Sequence, residues 1–406
     1  MTNLDTSEAA TGTGDRSRPR VALPALCITQ ITSWGIVYYA FPVLNPQITA
    51  ATGWSAAATA AAFSGALLVS AVVGIPVGRV LDRRGPRAVM TTGSVLGVVA
   101  VLAIANAPSV ATFTAAWMLA GVAMAATFYQ PAFAALTRWW GPSRIRALTI
   151  VTLAGGLAST VFAPLTATLA EHLGWRISYT VLAAVLAVVT IPLHVLALRA
   201  PWPPAPVLPA HQSTRSGAVE RSRPFLMLAA ALTLNSLSMY AVVIVLVPLL
   251  TERGASPAAA AWALGLGGAG QTLGRTLYAG LARRTNVTIR TAILIAAGGA
   301  TTAALASVSG PFPLLIVLAV AAGMVRGNLT LLQATAVTDR WGAADYGRLS
   351  GLLAAPSTVA SALAPFAGAA LTGPLGGLPQ LLLFLTAMSG VAALFALGTR
   401  TRTQTG

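Results

Sequence analysis

The chain has 406 residues, of which 56% are hydrophobic and only 8% charged, against about 25% charged in soluble domains. This excludes an ordinary soluble enzyme and implies a polytopic membrane protein, because at about 20 residues per spanning helix a dozen helices use nearly the whole length. The net charge of +16 does not point to nucleic acid, since lysine is absent and the arginines lie in small groups between apolar runs; it suits an anionic membrane surface instead.

Residues 1–20 are polar and end in Arg16, Arg18 and Arg20. The apolar run that follows is too long for a signal peptide and lacks a cleavage site, so residues 1–20 are expected to be a cytoplasmic tail. Twelve spans are predicted at 22–44, 56–78, 88–106, 110–136, 147–169, 178–198, 225–249, 258–280, 289–308, 312–336, 348–371 and 378–398. Between them only Arg176 and Arg253 fall in outer loops and only Arg275 and Arg326 fall deep within spans, with Arg290 and Arg348 at the cytoplasmic ends of theirs. All other arginines lie on the side of the termini, which places both termini in the cytoplasm of a cell-membrane protein.

In the first span Gln30, Trp34, Tyr38 and Asn45 form a polar and aromatic stripe with Tyr39 beside it, and Cys27, the single cysteine, excludes an intramolecular disulfide. The segment Gly78 to Met90, GRVLDRRGPRAVM, follows an apolar run and carries four arginines and Asp82. One arginine at mid-bilayer costs roughly 2.5–3.5 kcal/mol, so this knot is expected in the cytoplasm. Tyr129 marks the fourth span and Asn235 with Ser238 the seventh, as residues that either line a cavity or tie helices together. His194 reads as a satisfied interfacial histidine.

Residues 200–223, rich in proline and small polar residues, are read as a cytoplasmic linker between an N-terminal bundle, 21–199, and a C-terminal bundle, 224–398, with a short tail at 399–406. Repeats support this division. Gly121, Ala132, Arg138, Trp139 and Arg146 recur as Gly323, Ala334, Arg340, Trp341 and Arg348, and GIPVGRVL at Gly74 recurs as GQTLGRTL at Gly270. The expected fold is therefore an all-α membrane protein of twelve transmembrane helices in two pseudo-symmetric six-helix bundles.

Gly268, Gln271, Arg275 and Tyr278 share one stripe of the eighth span, and Arg326, Thr330 and Gln333 one of the tenth. Arg275 stands about 12 Å of helix from Arg283 and Arg284. No Asp or Glu lies within a span: Asp82, Asp339 and Asp345 are in cytoplasmic loops, Glu171 and Glu252 in outer ones. Two buried arginines cost about 5–7 kcal/mol if unrelieved, and an anionic substrate is the natural partner. The alternative, heavier for Arg326, is that a guanidinium caps carbonyls or snorkels.

Gly78, Asp82, Arg83, Gly85 and Arg87, in the pattern G-x-x-x-D-R-x-G-x-R, resemble the loop between helices 2 and 3 of the major facilitator superfamily. The resemblance implies that fold, with Asp82 set against the start of the eleventh helix as a latch on the cytoplasmic side; the alternative is an ordinary basic turn. Gln271 to Arg284 is similar to the eighth-helix motif of the oxalate:formate antiporter and monocarboxylate porter branches, where an arginine after glycine contacts the substrate carboxylate. Arg138 to Gly156 resembles the start of their fifth helix, and the tract from Gly323 through Asp339 and Gly342 to Gly347 their passage from helix 10 to 11. The chain departs from both branches. It has no second cation within the eleventh span and carries Gln271 where monocarboxylate porters tend to have aspartate, which argues against oxalate and against protonation through that position.

These readings lead to a transporter, not an enzyme, moving a small organic anion, expected to be a monocarboxylate, by alternating access. Substrate contacts are expected from Arg275, Arg326, Gln271, Tyr38, Gln30, Trp34, Asn235, Tyr129 and Gln333, and gating from Gly78, Asp82, Arg83, Gly85 and Arg87. No cofactor, metal or nucleic acid is expected, the chain is read as a monomer in the lipid bilayer, and the coupling ion stays open. Proton-coupled efflux of a drug or secondary metabolite is the alternative, against which AGGLASTVFAP lacks the antiporter signature of the superfamily's fifth helix.

Overall fold

The computed structural model describes residues 19–202, 219–341 and 346–399. Gly342, Asp345, most of the predicted linker and nearly all of both tails lie outside these. Twelve long helices run through the described residues: α1 Ala22–Thr52, α2 Ala56–Arg84, α3 Pro86–Ala105, α4 Val110–Trp140, α5 144–173, α6 175–197, α7 Arg223–Glu252, α8 Pro257–Arg284, α9 Val287–Ser307, α10 Phe312–Thr335, α11 Tyr346–Leu375 and α12 Leu378–Leu397. Ten stretches are long and apolar enough to cross a membrane. One of these, Arg146–Ala197, contains α5 and α6 joined at Gly174, whose φ of 72° turns the chain; α8, with its three arginines, falls outside the ten.

The helix starts follow from local sequence. The side chains of Ser55, Ser256 and Asn286 accept a backbone N–H of the first turn of α2, α8 and α9, and Ser109 with Thr112 closes a capping box on α4. Between α2 and α3 the sequence suggested a loop over Arg79 to Arg87, but α2 continues to Arg84. The turn is Gly85 alone, at φ 78°, with Pro86 opening α3.

The repeats have a packing basis. A Cβ at Gly121 of α4 would lie 2.3 Å from the Ala66 carbonyl oxygen of α2, and one at Gly323 of α10 would lie 1.9 Å from that of Gly267 in α8. The same close crossing is thus made in each half. Between halves, α5 packs on α8 and α2 on α11, the latter with Phe366 N–H donating to Ser64 Oγ at 3.0 Å. The apolar clusters reveal how the halves meet. Val43, Ala163 and Ala167 pack with Val245, Leu249 and Leu264 at the end away from Arg83 and Arg84. At the basic end, the clusters around Met90 and Leu136 and around Phe225 and Leu349 each stay within one half. Among the described residues, then, the apolar clusters that join the halves lie toward the end away from Arg83 and Arg84.

Candidate functional site

The site lies where three helices of the first half lose regular geometry. In α1, residues Gly35–Tyr39 form a π-helical turn, a device common at functional sites. Gly35 permits it to pack on α5, since a Cβ there would lie 2.1 Å from the Phe162 ring. In α4 the helix breaks at Phe128, with ψ of −160°, and Gln30 Nε2 donates to the Thr127 and Phe128 carbonyls at 2.7 and 3.4 Å. In α5 the break is at Leu157, whose N–H turns to Ala154.

The second half sets its cations against these breaks. Arg275 on α8 donates through a terminal nitrogen to the Thr152 carbonyl of α5, and Thr272 Oγ1 to that of Leu153 at 3.4 Å. The Tyr129 hydroxyl lies close to the same guanidinium. Gly155 and Gly156 make this approach possible: a Cβ at the first would lie 2.3 Å from the Tyr129 hydroxyl, and one at the second 2.9 Å from an Arg275 nitrogen. Arg275 Nε is buried with no partner.

Arg326 on α10 is held by Gln271, one turn from Arg275 on α8. With its amide oxygen toward the guanidinium, Gln271 accepts from Arg326 Nε at 3.0 Å and from a terminal nitrogen. Gly327 allows this, since a Cβ there would lie 2.1 Å from the Gln271 carbonyl. Neither arginine has a carboxylate partner among the described residues; the ion pairs Arg138–Asp82 and Arg290–Asp339 lie elsewhere.

Aromatic residues surround the cations. Tyr38 and Tyr240 lie within electrostatic reach of Arg326, and Tyr240 and Tyr129 within that of Arg275. Trp34 stacks on Phe128 at 4.1 Å between centroids and meets Tyr129 at 5.2 Å and Tyr38 at 5.4 Å. The structure thus brings together Arg275, Arg326, Gln271, Tyr38, Tyr129 and Trp34. Three others are engaged differently. Gln30 is committed to the α4 break, and Asn235 lines a cavity of about 40 Å³ in the second half together with Thr301, Thr302 and Arg326. Gln333 belongs to a different cavity and donates to Ser236 Oγ at 3.3 Å. Sequence reasoning missed Tyr240, whose signal was an isolated aromatic one helical turn after Ser236 in an apolar run.

At the basic end, Asp82 is paired within its own half: Arg138 donates to its carboxylate at 2.8 Å and to its backbone carbonyl at 3.1 Å. Trp202 Nε1 donates to the same carbonyl at 3.0 Å, and its ring lies 4.5 Å from the Arg138 guanidinium carbon. Arg83 and Arg87 are exposed, and Gly78 faces open space. In the second half Arg290 pairs with Asp339 at 2.6 Å. Nearby, burial pushes Arg340 down to about 10 against the attraction of Asp339.

The chain was compared with known proteins. The family described as Major Facilitator Superfamily matches residues 26–311 and 226–406. Monocarboxylate transporter 13 of Bos taurus is 29% identical over 260 residues, 62% of this chain and 57% of that protein. Its Rattus norvegicus counterpart is 27% identical over 324 residues, 75% and 70% of the two. Among solved structures, a bacterial homologue of the human lysosomal transporter Spinster, in an inward-facing and occupied conformation, superposes with a TM-score of 0.75 at 15% identity over 95% of this chain and 97% of that one. A point mutant of the nucleoside transporter NupG gives 0.76 at 14% identity over 94% and 100%.

Proposed function

Because the chain belongs to the Major Facilitator Superfamily and is a multi-pass membrane transporter, we propose that its substrate is a small organic anion, a monocarboxylate, moved by alternating access of the two halves. The observation that carries this reading is the pair Arg275 and Arg326 at the junction of the halves, the first bonded to the Thr152 carbonyl and the second to Gln271, without a resident negative charge among the described residues. A carbonyl and an amide satisfy some of the N–H groups but leave both charges, and a carboxylate supplies what is missing with charge-assisted hydrogen bonds. Arg275 is the primary ligand, since its Nε is unpartnered; Arg326 strengthens the local field. The name of the matched relatives, monocarboxylate transporter, agrees with this chemistry.

By the positive-inside rule the basic end faces the cytoplasm of the cell membrane, with both termini there, so the conformation described is open inward. Entry of substrate breaks the Arg275–Thr152 bond between the halves, which frees α8 to move against α5. On the return stroke the basic ends of α2 and α11 close, with Asp82 and Arg138 bracing the tip of α2. The test is uptake into proteoliposomes of labelled acetate, butyrate and an organic cation by wild type and Arg275→Gln. Carboxylate uptake that falls at least 100-fold in the variant supports the reading; cation uptake without carboxylate uptake overturns it in favour of efflux-type transport.

A further inference from the structure

We propose that the substrate carries, beyond its carboxylate, a neutral group that both donates and accepts hydrogen bonds, a hydroxyl, received by a polar wall on α7, α10 and α11. This rests on the anion reading above. A cavity of about 170 Å³ is lined by Ser236, Tyr240, Gln333, Ser357, Thr358 and Ser361, room for about five waters at about 30 Å³ each. It begins at Tyr240, which lies within electrostatic reach of both arginines, and extends toward the basic end as far as Gln333, two helical turns or about 10 Å from Arg326. A carboxylate seated on the arginines places its tail here.

The wall offers both acceptors and donors. Thr358 Oγ1 donates to the Ala354 carbonyl at 2.9 Å, Ser361 Oγ to that of Thr358 at 2.9 Å, and Gln333 Nε2 to Ser236 Oγ. The hydroxyl hydrogens of Thr358 and Ser361 are thus committed to the helix backbone, so these groups offer lone pairs to the cavity, as does the Gln333 amide oxygen. Ser357 is buried with its hydroxyl unpartnered. Ser236, whose oxygen accepts from Gln333, and Ser357 keep hydroxyl hydrogens to give, so the surface takes a group that both donates and accepts. An ammonium fits poorly, because two guanidiniums lie nearby and no carboxylate among the described residues faces the cavity; a hydroxyl makes both kinds of bond without the charge. A site that hydrogen-bonds a hydroxyl discriminates against the alkyl analogue, whose entry strips the wall of water and leaves its polar groups unpaired.

The test uses matched probes in proteoliposomes, butyrate against 4-hydroxybutyrate and hexanoate against 6-hydroxyhexanoate, with uptake into protein-free liposomes subtracted. Wild type is expected to show a kcat/KM at least 10-fold higher for the hydroxylated member of at least one pair. Gln333→Leu and Ser357→Ala, assayed separately, are expected to reduce that ratio toward one. Equal handling of both members by wild type overturns the proposal and leaves the anion reading standing. Failure to take up any of the four acids sinks both, and the wild-type ratio decides even where a variant folds poorly.

Discussion

Gln271 is the residue that holds Arg326, one helical turn from Arg275 on α8. It accepts both bonds that Arg326 directs at α8, and hydrogen bonds to a charged group are worth about 1.5–3 kcal/mol. Gln271→Leu is therefore expected to raise KM for carboxylate roughly 10- to 100-fold, measured by initial rates of uptake. Gln271→Glu has a different expected outcome. It installs the internal counter-ion that the junction lacks, so thermal stability rises in a melting assay while carboxylate uptake at pH 7 is lost; uptake that persists in this variant would separate the arginines from substrate binding. Arg275, Arg326 and Gln271 were legible in the sequence because charge and amide are rare within apolar spans and fall on helical stripes. Tyr240, Ser357 and Thr358 were not, since serine and threonine in such helices ordinarily bond their own backbone. Gln30 and Asn235 were legible as polar but not as to direction, which depends on the break at Phe128 and on the packing of α7.

Helix lengths were legible only as far as hydropathy reports them. The apolar run of α2 stops near Gly78, but the helix continues for almost two turns to Arg84, because hydropathy marks the depth of the bilayer and Gly85 the end of the helix. The glycines divide in the same way. At Gly323 an added methyl meets the Gly267 carbonyl, and at Gly78 it meets nothing within 4 Å. Gly323→Ala is expected to force α8 from α10 and cost about 3 kcal/mol, seen as a lower melting temperature and loss of monodisperse protein; Gly78→Ala should melt within a degree or two of wild type. The two ion pairs also differ. Asp82 is 63% exposed, so Asp82→Asn changes stability by under about 1 kcal/mol. Asp339→Asn leaves Arg290, only 6% exposed, without a counter-charge and is expected to cost about 3 kcal/mol, read as the difference in melting temperature between the variants.

For the whole molecule, the arrangement of arginines along the chain suggested an orientation and the repeats suggested two related halves, whereas how the halves meet is a property of packing between distant segments. Val43, Ala163 and Ala167 come from the first half and meet Val245 and Leu264 only in the folded protein. That seam defines the last prediction. If the halves rock as rigid bodies, prising the seam apart must bring the basic ends together. Ala167→Trp, in a Cys27→Ser background, supplies the wedge, since Ala167 is buried within the seam. Spin labels on cysteines at Gly78 and Gly351, both facing open space, should then report a shorter distance between α2 and α11 than without the wedge. A control pair inside the first half, Gly78 with the exposed Val188 of α6, should keep its distance. Movement in the control pair would mean that the first half deforms instead of rotating, and no change in either pair would mean that the seam is not what holds the basic ends apart.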